Sequence, residues 1–135
     1  MITVDTNIAF YALAREGRAV RAKEILREAH FLSVQVINEY AFSARRKLRR
    51  EWHDIAYDLE ILRYSVPEIH SIDTQATLSA LRLAERYQLA FFDALMIAVA
   101  LAGGATTLYS EDMHHGLYID DALTIINPFL SAEQA

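Results

Sequence analysis

Met1-Ile2-Thr3-Val4-Asp5-Thr6-Asn7 opens the chain, and its reading decides the fold. Ile2 to Val4 is a short β-branched run, which predicts a strand. It stops at Asp5, Thr6 and Asn7, three residues that favour turns and helix caps. A helix is expected to follow, through Leu13. A second helix is predicted from about Arg18 to Ala29, with Ala19, Ala22, Leu26 and Ala29 on one face. Phe31 to Val34 reads as the next strand. A helix from near Val36 carries an apolar stripe of Ile37, Tyr40, Ala41, Ala44 and Leu48. Another, from Trp52 to Leu62, places Trp52, Ile55, Ala56 and Leu59 on its stripe, so Trp52 is expected to pack in the core. Tyr64 to Val66 is expected as a strand closed by Pro67.

A long helix from Asp73 to Tyr87 and a very apolar one from about Phe92 to Ala102 follow, the latter ended by Gly103-Gly104. Thr106 to Tyr109 and Leu123 to Ile126 are the last expected strands. This alternation predicts an α/β fold with a mostly parallel central sheet and helices on its faces.

Composition fits one folded domain spanning residues 1–135. Hydrophobic residues make up 53 % and charged residues 23 % of the 135, the balance of a globular chain. Cysteine is absent, which excludes disulfides, thiolate metal sites and a cysteine nucleophile. The N-terminus lacks the basic start and apolar run of a signal peptide. The most apolar stretch, Leu89 to Ala102, is broken by Asp93 and falls short of the roughly 20 residues of a membrane span. A cytoplasmic protein with no membrane partner is expected.

The formal net charge is −5, unlike that of a generic nucleic-acid binder. Basic charge is concentrated in one run, Arg45, Arg46, Lys47, Arg49 and Arg50. These are candidate contacts for a nucleic-acid backbone; equally, they suit a helix C-terminus, where cations are favoured.

Ligands of open parallel sheets bind beyond the carboxyl ends of the strands. Asp5 follows the first strand directly, and Asp112 follows Thr106–Tyr109 after Ser110 and Glu111. Two further acids stand in improbable surroundings. Glu39 borders the apolar stripe of its helix. Asp93 lies in Leu89-Ala90-Phe91-Phe92-Asp93-Ala94-Leu95-Met96-Ile97 with no lysine or arginine following at helical spacing. An unpaired buried carboxylate costs several kcal/mol, so Asp93 needs a partner, and a cation suits. Each acid also has an ordinary reading: Asp5 and Asp93 as helix caps, Glu39 as a solvated glutamate, Asp112 as a turn residue. The five histidines show no zinc spacing. No phosphate-cradling glycine-rich loop is present.

Four segments taken in order resemble the successive motifs of the PIN domain: Val4-Asp5-Thr6-Asn7, Ser33-Val34-Gln35-Val36-Ile37-Asn38-Glu39, Phe92-Asp93-Ala94-Leu95, and Leu108-Tyr109-Ser110-Glu111-Asp112-Met113. The ending Ile126-Asn127-Pro128-Phe129 is similar to that of the VapC-type toxins within that family. The resemblance implies a PIN-like α/β/α sandwich. Asp5, Glu39 and Asp93 match the family's near-invariant acids, and Asp112 its more variable fourth acid. Ser110 matches the hydroxyl residue two positions before that acid. Asn7, with Thr6 beside it, matches the polar support of the first aspartate. Glu111 stands next to Asp112, and the sequence does not decide which of the two faces the site.

The resemblance implies an endoribonuclease that leaves 5′-phosphate and 3′-hydroxyl ends. Two carboxylates about 4 Å apart repel by roughly 4 kcal/mol at an effective dielectric near 20, so four gathered together require positive charge. An all-oxygen site suits Mg²⁺ or Mn²⁺. Asp5 and Asp93 are expected as direct metal ligands, Asp112 as a ligand of the metal or of its water, and Glu39 as the residue that positions the attacking water or a second metal. The implied partners are an RNA substrate, a small antitoxin protein and a second copy of the chain. A housekeeping PIN nuclease, a non-catalytic RNA- or protein-binding module and a flap-type DNA nuclease are the alternatives.

Overall fold

The computed structural model describes residues 1–14, 17–131 and 133–134. In chain order the elements are β1 (Ile2–Val4), α1 (Thr6–Leu13), α2 (Ala19–Glu28), β2 (Phe31–Ser33), α3 (Val34–Leu48), α4 (Trp52–Ser65), β3 (Glu68–His70), α5 (Thr74–Tyr87), α6 (Phe91–Ala102), β4 (Thr107–Tyr109), β5 (Tyr118–Ile119) and β6 (Leu123–Ile126). The four-stranded sheet has the order β1-β4-β6-β5. It is parallel except at its β5 edge, which gives the mostly parallel α/β architecture expected from the alternation. A second parallel pair, β2 with β3, lies against β1. The His30 backbone N–H donates to the Ile2 carbonyl at 2.8 Å, and the Thr3 hydroxyl donates to the Phe31 carbonyl at 2.7 Å.

The core follows the apolar periodicity at Tyr40, Ala44 and Ile55 but not at Leu48 or Ala56, which the stripes of their helices also included and which are exposed. Val4, Leu108 and Ile125, from three neighbouring strands, are fully buried. α6 buries every residue from Ala94 to Ala100. α5 packs along α6 and α1 along α2. Caps fix where several helices start. Ser33 accepts from the Gln35 N–H at 3.1 Å ahead of α3, and Asp73 accepts from the Ala76 N–H at 2.9 Å ahead of α5. After α6 the chain turns through Gly104, whose φ of +81° favours glycine.

Three expectations are corrected. The strand at Tyr64–Val66 is instead the end of α4, and β3 begins only after Pro67. Leu62 is fully buried, which carries the helix on, and Val66 is driven into extended backbone (φ −128°, ψ 135°) by the proline that follows it. Trp52 is not in the core but 64 % exposed. α4 buries Ile55, Asp58 and Leu62 instead, a stripe turned away from Trp52, whose ring lies 4.8 Å from the Arg45 guanidinium carbon. β5 was not expected at all. It pairs antiparallel with β6 through a tight turn in which Asp120 and Asp121 both adopt positive φ, 50° and 52°, the geometry that joins hairpin strands.

Candidate active site

The carboxyl ends of β1 and β4 meet. The Asp5 N–H donates to the Tyr109 carbonyl at 2.8 Å, and the Ser110 N–H donates to the Ile126 carbonyl at 2.9 Å. The first residue beyond each strand therefore sits at one edge of the sheet. Asp5 is buried and is also the N-cap of α1, accepting from the Thr6 N–H at 2.7 Å. Its other oxygen accepts from the Ser110 hydroxyl at 2.7 Å. Capping and gathering are thus done by one side chain, since the two oxygens have different partners.

Asn7, one turn into α1, links the first acid to the fourth. Its Nδ2 lies 3.4 Å from Asp5 Oδ2 and 3.2 Å from Asp112 Oδ2, while its Oδ1 accepts from the Glu111 N–H at 3.2 Å. Thr6 reaches the second acid, its hydroxyl donating to Glu39 Oε2 at 3.3 Å. Gln35, one turn earlier on α3, donates to Glu39 Oε1 at 3.1 Å. Asp93 stands in the first turn of α6, where Ala90 is the N-cap, so it does not serve as that cap. One cleft of about 350 Å³ is lined by Thr6, Asn7, Glu39, Ser43, Lys47 and Asp112 together with Phe10 and Tyr11.

The electrostatics tie the four acids together. Burial, the largest cause, pushes the Asp5 carboxyl up to about 6; the hydrogen bonds from Ser110 and Thr6 pull it down, and the charges of Glu39 and Asp93 push it up. Asp93 is raised by burial and by the charge of Asp112. Among the described residues, none of Asp5, Glu39, Asp93 and Asp112 is ion-paired with a lysine or arginine. Carboxylates from four separate segments thus sense one another's charge; Glu39 and Asp112 line the cleft itself, with Lys47 at its wall, while Asp5 and Asp93 are not among its lining residues.

The donor set is all oxygen, the chemistry of a hard divalent ion. Among the described residues, no three Asp, Glu or His side chains are drawn close enough to form a ready-made coordination shell.

Several placements sharpen the sequence reading. Glu111 turns away from the cleft, taking a hydrogen bond from the Tyr11 hydroxyl and an ion pair with Arg18 at 3.2 Å, so Asp112 is the acid of that pair that faces it. Gln35 escaped attention although its spacing of four from Glu39 on one helix was the available signal. Tyr11 and Arg18 gave no signal of any kind. His115 accepts from the Asn127 N–H at 3.0 Å, a structural use.

The basic run splits. Arg50 is not free for a backbone contact: it grips Asp58 with two hydrogen bonds of 2.7 and 2.8 Å, and the Tyr40 hydroxyl donates to the same carboxylate at 2.6 Å. Arg49 ends α3 in the left-handed conformation. Lys47 lines the acidic cleft.

Comparison with known proteins agrees with this fold. The family model described as the PIN domain matches residues 2–116. A toxin–antitoxin complex from Klebsiella pneumoniae contains a chain of similar fold, at 18 % identity and a TM-score of 0.73, covering 96 % of this chain and 98 % of that one. VapC20 of Mycobacterium tuberculosis, a sarcin–ricin-loop-cleaving toxin, is similar at 21 % identity and a TM-score of 0.63 over 80 % of this chain and 87 % of that one. VapBC2 of Rickettsia felis, bound to a DNA fragment from its promoter, is similar at 22 % identity and a TM-score of 0.62 over 83 % and 89 %. At these identities the likeness is one of fold. No curated protein matches the sequence.

Proposed function

This chain belongs to the PIN domain family, and on that premise we propose that it is a divalent-metal-dependent endoribonuclease, the toxin of a pair in which a small antitoxin holds it inactive in the cytoplasm. The nuclease reading is supported by the linkage of Asp5 to Glu39 and Asp112 through Thr6 and Asn7, by the charge coupling of Asp93 to Asp5 and Asp112, and by the lack of a lysine or arginine ion pair to any of the four among the described residues. The antitoxin reading rests on the fold shared with chains from toxin–antitoxin pairs.

When bound, a divalent ion supplies charge neutralisation and Lewis-acid activation of water and phosphate. Asp5 and Asp93 are assigned to hold it, and Asp112 to hold it or its water. Ser110 and Asn7 fix the Asp5 carboxylate by donating to Oδ2. Glu39 is assigned to accept a hydrogen bond from the attacking water, with Thr6 and Gln35 fixing its two oxygens. The water oxygen bonds to phosphorus as the bond to the 3′-oxygen breaks, which leaves a 5′-phosphate and a 3′-hydroxyl. Lys47, on the same cleft, is assigned to the RNA backbone.

The test is incubation of the purified protein with single-stranded RNA and Mg²⁺ or Mn²⁺. Cleavage is expected, with loss in EDTA and a fall of at least about 100-fold in Asp93→Asn. A folded wild-type chain that leaves RNA intact with either ion contradicts the reading.

A further inference from the structure

The wall that carries Glu39 has a second side. Glu39, Ser43 and Lys47, spaced four apart on α3, line both the acidic cleft and a neighbouring one of about 430 Å³. That second cleft runs between α3 and the start of α6 and is completed by Gln35, Phe42, Arg46 and Phe92. It contains no aliphatic side chain. Its apolar surface comes from two phenylalanines, Phe42 and Phe92, which are 63 % and 60 % exposed. Two large aromatic rings left mostly in water forfeit the burial that ordinarily places phenylalanine in a core.

Charge is the second feature. In a chain of net charge −5, Arg46 and Lys47 bring two cations to this cleft, and among the described residues neither is ion-paired. The Arg46 guanidinium carbon lies 5.7 Å from the centre of the Phe42 ring. Phe92 is steadied edge to face by Phe91, with ring centres 5.3 Å apart, and directly precedes Asp93 of the acidic cluster.

Exposed aromatic faces interleaved with unpaired cations are the means by which proteins hold single-stranded nucleic acid: rings stack on bases and cations follow the phosphates. A protein helix would instead call for a continuous hydrophobic groove, which the charged side chains of Arg46 and Lys47 interrupt. We propose that the Phe42–Phe92 cleft is a base-stacking subsite for an unpaired nucleotide flanking the scissile bond, with Arg46 and Lys47 holding its phosphate. This rests on the ribonuclease reading and adds to it the requirement that the substrate be single-stranded where it crosses α3.

Binding is measured with the full chain in EDTA, which prevents cleavage, by fluorescence anisotropy. Two labelled strands of equal length are used, a single-stranded oligoribonucleotide and a base-free phosphodiester strand. Phe42→Ala and Phe92→Ala are each expected to weaken RNA binding roughly 5- to 150-fold and to leave the base-free strand unchanged. Phe92→Trp is expected to restore RNA affinity, and Lys47→Ala to weaken both strands. Alanine variants that bind RNA like the wild type overturn the subsite, as does equal loss on both strands. A wild-type dimer that Phe92→Ala splits, with RNA affinity retained, also overturns it and makes this face a contact between copies. If the wild type cuts RNA and the phenylalanine variants bind normally, only the subsite fails. If the wild type neither binds nor cuts RNA, the ribonuclease reading fails with it.

Discussion

The Ser110 hydroxyl donates to Asp5 Oδ2 at 2.7 Å, a contact between residues 105 apart in sequence. Both side chains are buried, Ser110 completely. The same oxygen of Ser110 accepts from the Met113 N–H at 3.3 Å, so its proton is directed at the carboxylate. This bond opposes burial, which otherwise pushes Asp5 further toward its neutral form. A hydrogen bond to a charged group contributes about 1.5–3 kcal/mol. Ser110→Ala is therefore predicted to raise the Asp5 pKa above its value of about 6. The titration of the Asp5 carboxyl, followed by carbon NMR in EDTA, should move up by about one pH unit.

Asp5 is held at a cost to the fold. Its carboxyl rises from 3.8 to about 6 on folding. Below pH 3.8 it is protonated in both the folded and unfolded chains, and its contribution to stability is fully present. As pH rises through about 6 the folded chain gives up its proton last, and that contribution is lost. In EDTA, Asp5→Asn is predicted to stabilise the protein by about 1–3 kcal/mol at pH 7 while abolishing cleavage. Urea unfolding at pH 4 and pH 7 checks this, since the advantage of the variant should vanish at the lower pH.

Gly103 is fixed by space and not by backbone angle. Its φ is −80°, open to any residue. An added Cβ would meet Phe31 Cζ at 2.5 Å and His70 Cε1 at 3.0 Å. Phe31 is fully buried and stacked on the His70 ring with centres 4.0 Å apart, so it cannot yield cheaply. The gain from restricting the unfolded chain, about 0.4–1 kcal/mol, is smaller than the cost of overpacking, about 1–3 kcal/mol. Gly103→Ala should lower the unfolding free energy by about 1–2 kcal/mol, read from a urea titration.

Arg50 and Lys47 lie three residues apart and should behave oppositely. Arg50→Ala leaves Asp58, 7 % exposed, with only the Tyr40 hydroxyl as partner and should destabilise the fold by about 1–3 kcal/mol. Lys47→Ala removes an exposed charge and should leave thermal stability unchanged while weakening RNA binding. Paired melting and anisotropy measurements separate the two.

Much of the fold was legible because apolar periodicity and polar stops coincide. Val4 ends a strand and Asp5 begins a helix within two residues, and an acid within the apolar run around Asp93 stood out from its surroundings. What stayed hidden depends on tertiary contacts. β5 is two residues long and exists because β6 offers an edge and Asp120 is held by Arg82 at 2.7 Å. The choice between Glu111 and Asp112 is made by Tyr11 and Arg18, about a hundred residues away. Trp52 reads as core by its helical spacing with Ile55, Ala56 and Leu59 but falls outside the stripe that Ile55, Asp58 and Leu62 set. Each of the four acids stood out in the sequence; the hydrogen-bonded linkage of Asp5, Glu39 and Asp112 through Thr6 and Asn7 required the structure.

The central claim is that these carboxylates together form a cation site. Calorimetric titration of Mn²⁺ into the full chain, into Asp93→Asn and into Asp120→Asn tests it most directly. Asp120 is a carboxylate outside the cluster, already paired with Arg82. The wild type and Asp120→Asn should bind alike, and Asp93→Asn at least about tenfold more weakly. A wild type that gives no binding heat, or an Asp93→Asn chain that binds as tightly as Asp120→Asn, contradicts the account.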